Sequence, residues 1–187
     1  MNEDIYELKR YVKILDTGTF YENFSKFDRV QGFCKNCPRY NTNFSCSPVE
    51  DINIENFVKQ YDKAKIVVTQ LLFKKEYYEK EFTKKEFDEF INSTFIKERE
   101  YIKEIIKNEE NDHSKSISLT GPCNYCRKDC KKVFDKCKYP EIRRFTLASL
   151  GLDANKILKE VFDIDLILIE KKLPKYMNNV TVLLYTD

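Results

Sequence analysis

Apolar residues alternate with polar ones along residues 5–15, where Tyr6, Leu8, Val12 and Ile14 share one parity and Arg10 interrupts it. A period of two marks a half-buried strand, so a strand is predicted here. Asp16-Thr17-Gly18 reads as a turn. Phe20, Phe24 and Phe27 then recur at helical spacing and predict a short helix over 19–27. Ile54, Phe57, Val58 and Tyr61 share one face of a second short helix, which Asp62-Lys63 ends. Residues 64–73 are dense in Val, Ile and Leu without alternation, the pattern of a central strand covered on both faces.

The longest periodic segment follows. Thr83 with Glu86 forms a capping box at its start. Phe87, Ile91, Phe95, Ile102 and Ile106 mark one stripe of a helix running to about 108, widened by Phe90, Tyr101 and Ile105. The opposite face is charged and reads as solvated surface. Residues 116–119 form a short strand. A helix over 141–150 ends at Gly151, a natural residue to follow a helix C-terminus. Asp153 caps another helix that runs to 162, and strands at 165–170 and 180–185 are joined by a hairpin connection over 171–179. The order of elements predicts a single domain over 1–187, α+β or α/β, with a mixed β-sheet flanked by helices and two cysteine-rich metal-binding loops.

Composition narrows the function. A chain of 187 residues can bury one substantial core. Its 33 Lys+Arg against 31 Asp+Glu leave a net charge of +2, which gives no electrostatic case for nucleic acid or an acidic membrane. No apolar run approaches the roughly 20 residues of a membrane span. Met1-Asn2-Glu3-Asp4 opens the chain with acid and no apolar core, unlike a signal peptide. A cytoplasmic location is therefore expected, where thiols stay reduced.

All seven cysteines fall into two compact groups. Cys34, Cys37 and Cys46 are spaced C-x2-C-x8-C, and Cys123, Cys126, Cys130 and Cys137 are spaced C-x2-C-x3-C-x6-C. Most of the scarce glycines and prolines flank them: Gly32, Pro38 and Pro48 the first, Gly121, Pro122 and Pro140 the second. Tight turns are thus concentrated where ligands must converge. Four thiolates suit tetrahedral zinc, and thiolates also hold iron–sulfur clusters. An iron–sulfur cluster of the 4Fe–4S type is preferred. The second group is too compact for the two separated pairs of a zinc ribbon, and the first offers three thiols where structural zinc takes four. Zinc, plain reduced thiols, and convergence of both groups on one site stay open. The order C-x2-C-x3-C reverses the C-x3-C-x2-C of radical S-adenosylmethionine enzymes, which excludes that reading.

Between 127 and 144 lie Arg127, Lys128, Lys131, Lys132, Lys136, Lys138, Arg143 and Arg144 against three acids. Such cations either stabilise an anionic thiolate centre or form ordinary surface. Tyr40, Tyr125 and Tyr139 lie in the cysteine segments, as shields for a metal rather than platforms for bases. The only histidine, His113, lies in a polar turn and is expected to be exposed, which leaves no Cys–His nucleophile. No glycine-rich phosphate loop is present.

The segment from Phe33-Cys34-Lys35-Asn36-Cys37-Pro38-Arg39-Tyr40 to Cys46-Ser47-Pro48 resembles the first motif of an uncharacterised family of predicted cysteine-rich metal-binding proteins, common in anaerobic bacteria and archaea. Its second motif is similar to Gly121-Pro122-Cys123 through Cys137-Lys138-Tyr139-Pro140, then Arg144 and Leu150-Gly151-Leu152-Asp153. The resemblance covers roughly 6–162. It departs at Ser47, where the family pattern has Cys-Pro-Pro, and at Ala148, where the family tends to carry an acid. What it implies is metal binding, with no reaction attached.

Two classes of function follow. One is a redox or electron-transfer protein, or one that activates a small molecule at an open iron of the Cys34–Cys37–Cys46 centre, served by a redox partner protein or a small-molecule substrate. Asn36, Asn41, Asn43, Ser45 and Ser47 are the small polar neighbours of that site. The other is a zinc-stabilised binding or adaptor module without chemistry.

Overall fold

The computed structural model of the chain describes residues 4–123, 125, 126, 130, 135–167 and 172–187. Four strands, β1 (Tyr6–Asp16), β2 (Lys63–Phe73), β3 (Lys115–Leu119) and β4 (Tyr176–Thr186), form one sheet in the order β1-β2-β4-β3. Among the described residues every pairing is antiparallel, so the fold is α+β and the described sheet is antiparallel rather than mixed. The continuous apolar run of β2 places it inside the sheet, paired to β1 through Tyr6↔Phe73 and to β4 through Ile66↔Val182.

Side-chain parity then assigns two cores. On one face Ala64 and Ile66 of β2 and Val182 and Leu184 of β4 pack with Phe20 and Phe24 of α1 (Thr17–Phe24), Val58 of α3 (Ile54–Lys59) and Ile157 of α7 (Ala154–Phe162). Phe145, Leu147, Leu150 and Leu152 complete this core. On the other face Val67, Leu183 and Tyr185 meet Ile102 and Ile106 of α6 (Lys97–Glu109). Tyr6, Leu71 and Phe73 meet Tyr77 and Tyr78 of α4 (Lys75–Tyr78) and Phe87, Phe90 and Ile91 of α5 (Lys84–Ile91). Each such side chain contributes about 1.5–3 kcal/mol by leaving water.

Several elements depart from the periodicity. Val12 and Ile14 share the parity of Tyr6 yet are half exposed, because β1 is an edge strand and α6 covers the inner strands instead. The helix expected over 19–27 is two helices, α1 and α2 (Phe27–Lys35). Between them Ser25 bridges to Leu152, and Lys26 N–H donates to the Gly151 carbonyl at 2.9 Å. Those backbone bonds to a distant segment replace the helical ones. Asp16 caps α1 by accepting from Thr19 N–H at 2.7 Å, so the expected turn is a helix start.

The capping box of Thr83 and Glu86 is formed, but the long helix is divided by a π turn at Asn92–Ile96. There Thr94, fully buried, donates its hydroxyl to the Phe90 carbonyl at 2.7 Å. An extra residue in the turn shifts the helical phase. Beyond it, Ile102 and Ile106 face the sheet, while Tyr101 and Ile105 are exposed and do not widen the buried stripe. The Arg10 guanidinium lies 5.7 Å from the Tyr101 ring.

The helix expected over 141–150 is reduced to two 3-10 turns, Pro140–Ile142 and Ala148–Leu150. Thr146 and Ser149 exchange bonds between backbone N–H and side-chain oxygen, which competes with helix formation. Asp153 caps α7 as expected, accepting from Asn155 and Lys156 N–H. Residues 165–167 are irregular rather than strand, and 168–170 lie outside the described residues. β4 begins at Tyr176 rather than Val180 and, among the described residues, pairs with β2 and β3. No described helix is long and apolar enough to cross a membrane.

Gly151 is the backbone hinge that seats α2. Its φ is +70°, and a Cβ there would lie 2.7 Å from Phe27 Cδ2 and 3.0 Å from Phe27 Cα. Gly151→Ala therefore adds a left-handed strain to a backbone clash, and is expected to cost about 2 kcal/mol. An unchanged midpoint in urea denaturation would refute this.

Candidate metal centre

The first cysteine group begins on a helix rather than in a loop. α2 turns Val30 into the protein and carries Cys34 on the same side, where its thiol lies 3.8 Å from the Ala148 carbonyl. Gln31 Nε2 donates to the same carbonyl at 3.2 Å. Position 148, where the family resemblance led us to expect an acid, thus adjoins the first group. The chain then turns tightly: Cys37 N–H donates to the Cys34 carbonyl at 2.9 Å, and Tyr40 N–H to the Cys37 carbonyl at 2.9 Å. Cys37 is exposed, and its Sγ accepts from Arg39 N–H at 3.5 Å.

Asn43 organises the return to Cys46. Its side-chain oxygen accepts from Ser45 N–H at 3.0 Å, Ser45 Oγ–H at 2.8 Å and Cys46 N–H at 3.0 Å. One amide oxygen thereby fixes three donors of a segment that has no regular structure. Burial pushes the Cys46 thiol up from its ordinary pKa, against a hydrogen bond with Asn43 and the charge of Arg39. Cys37 and Cys34 add to the upward shift, which puts all three thiols within electrostatic reach of one another.

The second group leaves the end of β3 through Gly121, whose φ of +123° only glycine adopts without strain. Cys126 and Cys130 hydrogen-bond through their side chains. Burial pushes Cys126 up, and Cys130, Cys137 and Cys123 push it further. Burial likewise raises Cys137, opposed by a bond from Tyr139 N–H and by the Arg143 charge. Each group therefore has an N–H from two residues ahead directed at a sulfur, Arg39 to Cys37 and Tyr139 to Cys137, and an arginine facing a thiol. The spacing of the cysteines carries no sign of these bonds.

The two groups meet at Ser45. This residue is fully buried, and its Oγ accepts from Cys123 N–H at 2.9 Å. Only one residue and one hydrogen bond separate Cys46 from Cys123. For Cys46, Cys126 and Cys137, the cysteines that add to the upward shift belong to the same group as the thiol they act on.

All seven cysteines carry free thiols. Among the described residues no three His, Cys, Asp or Glu side chains are drawn into a closed coordination sphere. The donor chemistry still fits a thiophilic metal or cluster: grouped free thiols, N–H donors on sulfur and nearby arginines. Of the basic residues expected to surround a centre, Arg143 acts on Cys137 through its charge while its guanidinium is paired with Asp51, and Arg144 is bound to Glu110 and Ile142. Lys136 is exposed, and Arg127, Lys128, Lys131 and Lys132 lie outside the described residues. Tyr125 and Tyr139 are partly open to solvent, with Lys107 and Lys138 over their rings. His113 is not exposed as expected: its ring lies 4.1 Å from that of Tyr185, and Nδ1 lies 3.2 Å from Asp187.

No curated protein matches the chain, and no solved structure does. A family model described as "Predicted metal-binding protein (DUF2284)" matches residues 23–185, a span that includes every cysteine, and the chain belongs to that family of predicted metal-binding proteins.

Proposed function

We propose that this chain is an iron–sulfur protein with two thiolate-held centres. Cys34, Cys37 and Cys46 hold the first, and Cys123, Cys126, Cys130 and Cys137 hold the second. The observation that carries the reading is the division of seven free thiols into a set of three and a set of four, each with a backbone N–H on a sulfur. Such bonds stabilise negatively charged sulfur and tune reduction potentials in cluster proteins. A bound 4Fe–4S cluster would supply one-electron chemistry. Arg39 and Arg143 offset the negative charge of the thiolates they face. The Ser45–Cys123 bond fixes the spacing of the two sets.

Three thiolates leave one coordination position open, and open positions are where metals take substrates. The first centre is assigned the reactive role and the second a structural or electron-relaying one. The partner is then a redox protein or a small-molecule substrate in the cytoplasm. Four thiolates within the second group also suit zinc, so a zinc-stabilised adaptor module without catalysis is the second reading.

Anaerobic purification with iron, sulfide and zinc analysis separates the two. A brown protein containing iron and acid-labile sulfide is expected; a colourless one containing zinc alone overturns the iron–sulfur reading. In the reduced, fully loaded protein, cyanide should alter the electron paramagnetic resonance signal, and Cys34→Ala should abolish that response. No response to cyanide overturns the open first centre.

A further inference from the structure

Ser47 directly follows the last thiol of the first set. Only 2% of its surface is exposed, and its hydroxyl has no hydrogen-bond partner among the described residues. Such a group is costly. A polar atom sealed from water without a partner lowers the folding equilibrium roughly five- to a hundredfold. The backbone that carries the hydroxyl is held in place, because the Ser47 carbonyl accepts Asn41 N–H at 2.7 Å and Pro48 follows. Other acceptors of the 43–47 segment already hold donors. Asn43 Oδ1 takes three donors, Ser45 Oγ takes Cys123 N–H, and the Ser45 carbonyl takes Thr146 N–H at 3.5 Å.

We infer that the missing acceptor is sulfur of the first centre, to which the Ser47 hydroxyl donates a hydrogen bond when metal is bound. The assignment rests on the metal-binding reading above. A hydroxyl donor to anionic sulfur forms a charge-assisted bond, stronger than a neutral one. It favours the more negative, reduced state of a cluster and so raises its potential. Ser47 is thus a positioning and tuning residue for the first centre.

The assignment makes the effect of one substitution reverse sign with metal. In the metal-free protein, Ser47→Ala deletes an unsatisfied hydroxyl and should lower the unfolding constant about tenfold. In the loaded protein the same change deletes a bond. The variant should release metal from the first centre to a chelator about tenfold faster than wild type, and its midpoint potential should become more negative. Ser47→Thr, which keeps the hydroxyl, should restore both. A Ser47→Ala protein destabilised alike with and without metal would mean that ordered water is the partner, and overturns the assignment. So do an unchanged chelation rate and an unchanged potential. Metal content measured on the same samples keeps the two failures apart. Wild-type protein that binds no metal overturns the metal-binding reading itself, whereas loaded wild type with an unaffected variant overturns only the role of Ser47.

Discussion

On the proposed reading, replacing any one of Cys123, Cys126, Cys130 or Cys137 by Ala should strip the metal of the second centre and produce the largest loss of stability of any single change described above. The reason is linkage. In small zinc-binding peptides the apparent metal-binding free energy is about 10–16 kcal/mol, and it becomes folding free energy because the unfolded chain has no site. That is comparable to the whole stability of a typical domain, about 5–15 kcal/mol. In sequence the second set lies between β3 and the buried Phe145–Leu152 stretch, so its loss should also loosen the packing around Leu119 and Phe145. Metal analysis and thermal unfolding of the four variants check this; unchanged metal content in all four would refute it. On the reading of two separate centres, Cys34→Ala should leave the metal of the second set in place.

Asp51→Ala should destabilise the protein by about 3 kcal/mol, although Asp51 itself is largely exposed. Its carboxylate clamps Arg143 through Nη1 at 2.8 Å and Nη2 at 3.1 Å. Arg143 is only 4% exposed and stacks over the Phe145 ring at 4.4 Å. Removing the carboxylate leaves a buried guanidinium without its counter-charge, and its Nε already lacks a partner. The exposed side of Asp51 lets water relieve part of the penalty, which keeps the cost at the low end of the range for broken buried pairs. Arg143→Met removes the charge together with its need for a partner, and should cost less. Urea denaturation of both variants gives the order; Arg143→Met the more harmful would show that arginine packing, not the unpaired charge, dominates. Arg143 also favours the thiolate form of Cys137, so Asp51→Ala should disturb metal retention in the second set as well.

The sequence by itself determined much of the local structure and the chemistry of the candidate site. The apolar run of β2 requires cover on both faces, and the Thr83–Glu86 box and Asp153 start helices through bonds within a few residues. These signals are local, so they survive any tertiary arrangement. The grouping of all seven thiols is equally local, because ligands a few residues apart need only a turn to converge.

What the sequence left undecided depends on contacts between distant segments. The exposure of Val12 and Ile14 follows from the edge position of β1, which alternation cannot report. The break between α1 and α2 is set by bonds from Lys26 N–H to the Gly151 carbonyl and from Asp153 N–H to the Phe24 carbonyl. The π turn at Asn92–Ile96 trades helical phase for burial of Thr94. Packing, not periodicity, selects among such options, because burial gains of a few kcal/mol exceed the differences in local propensity. At the site, tertiary structure decided that Ser45 ties Cys123 to the first set, that Arg39 and Arg143 each face a different set, and that Ser47 is sealed beside Cys46 without a partner. Each of these joins residues brought together by the closure of the 34–48 segment onto the end of β3 and the 140–151 turns, a long-range event that no window of sequence contains.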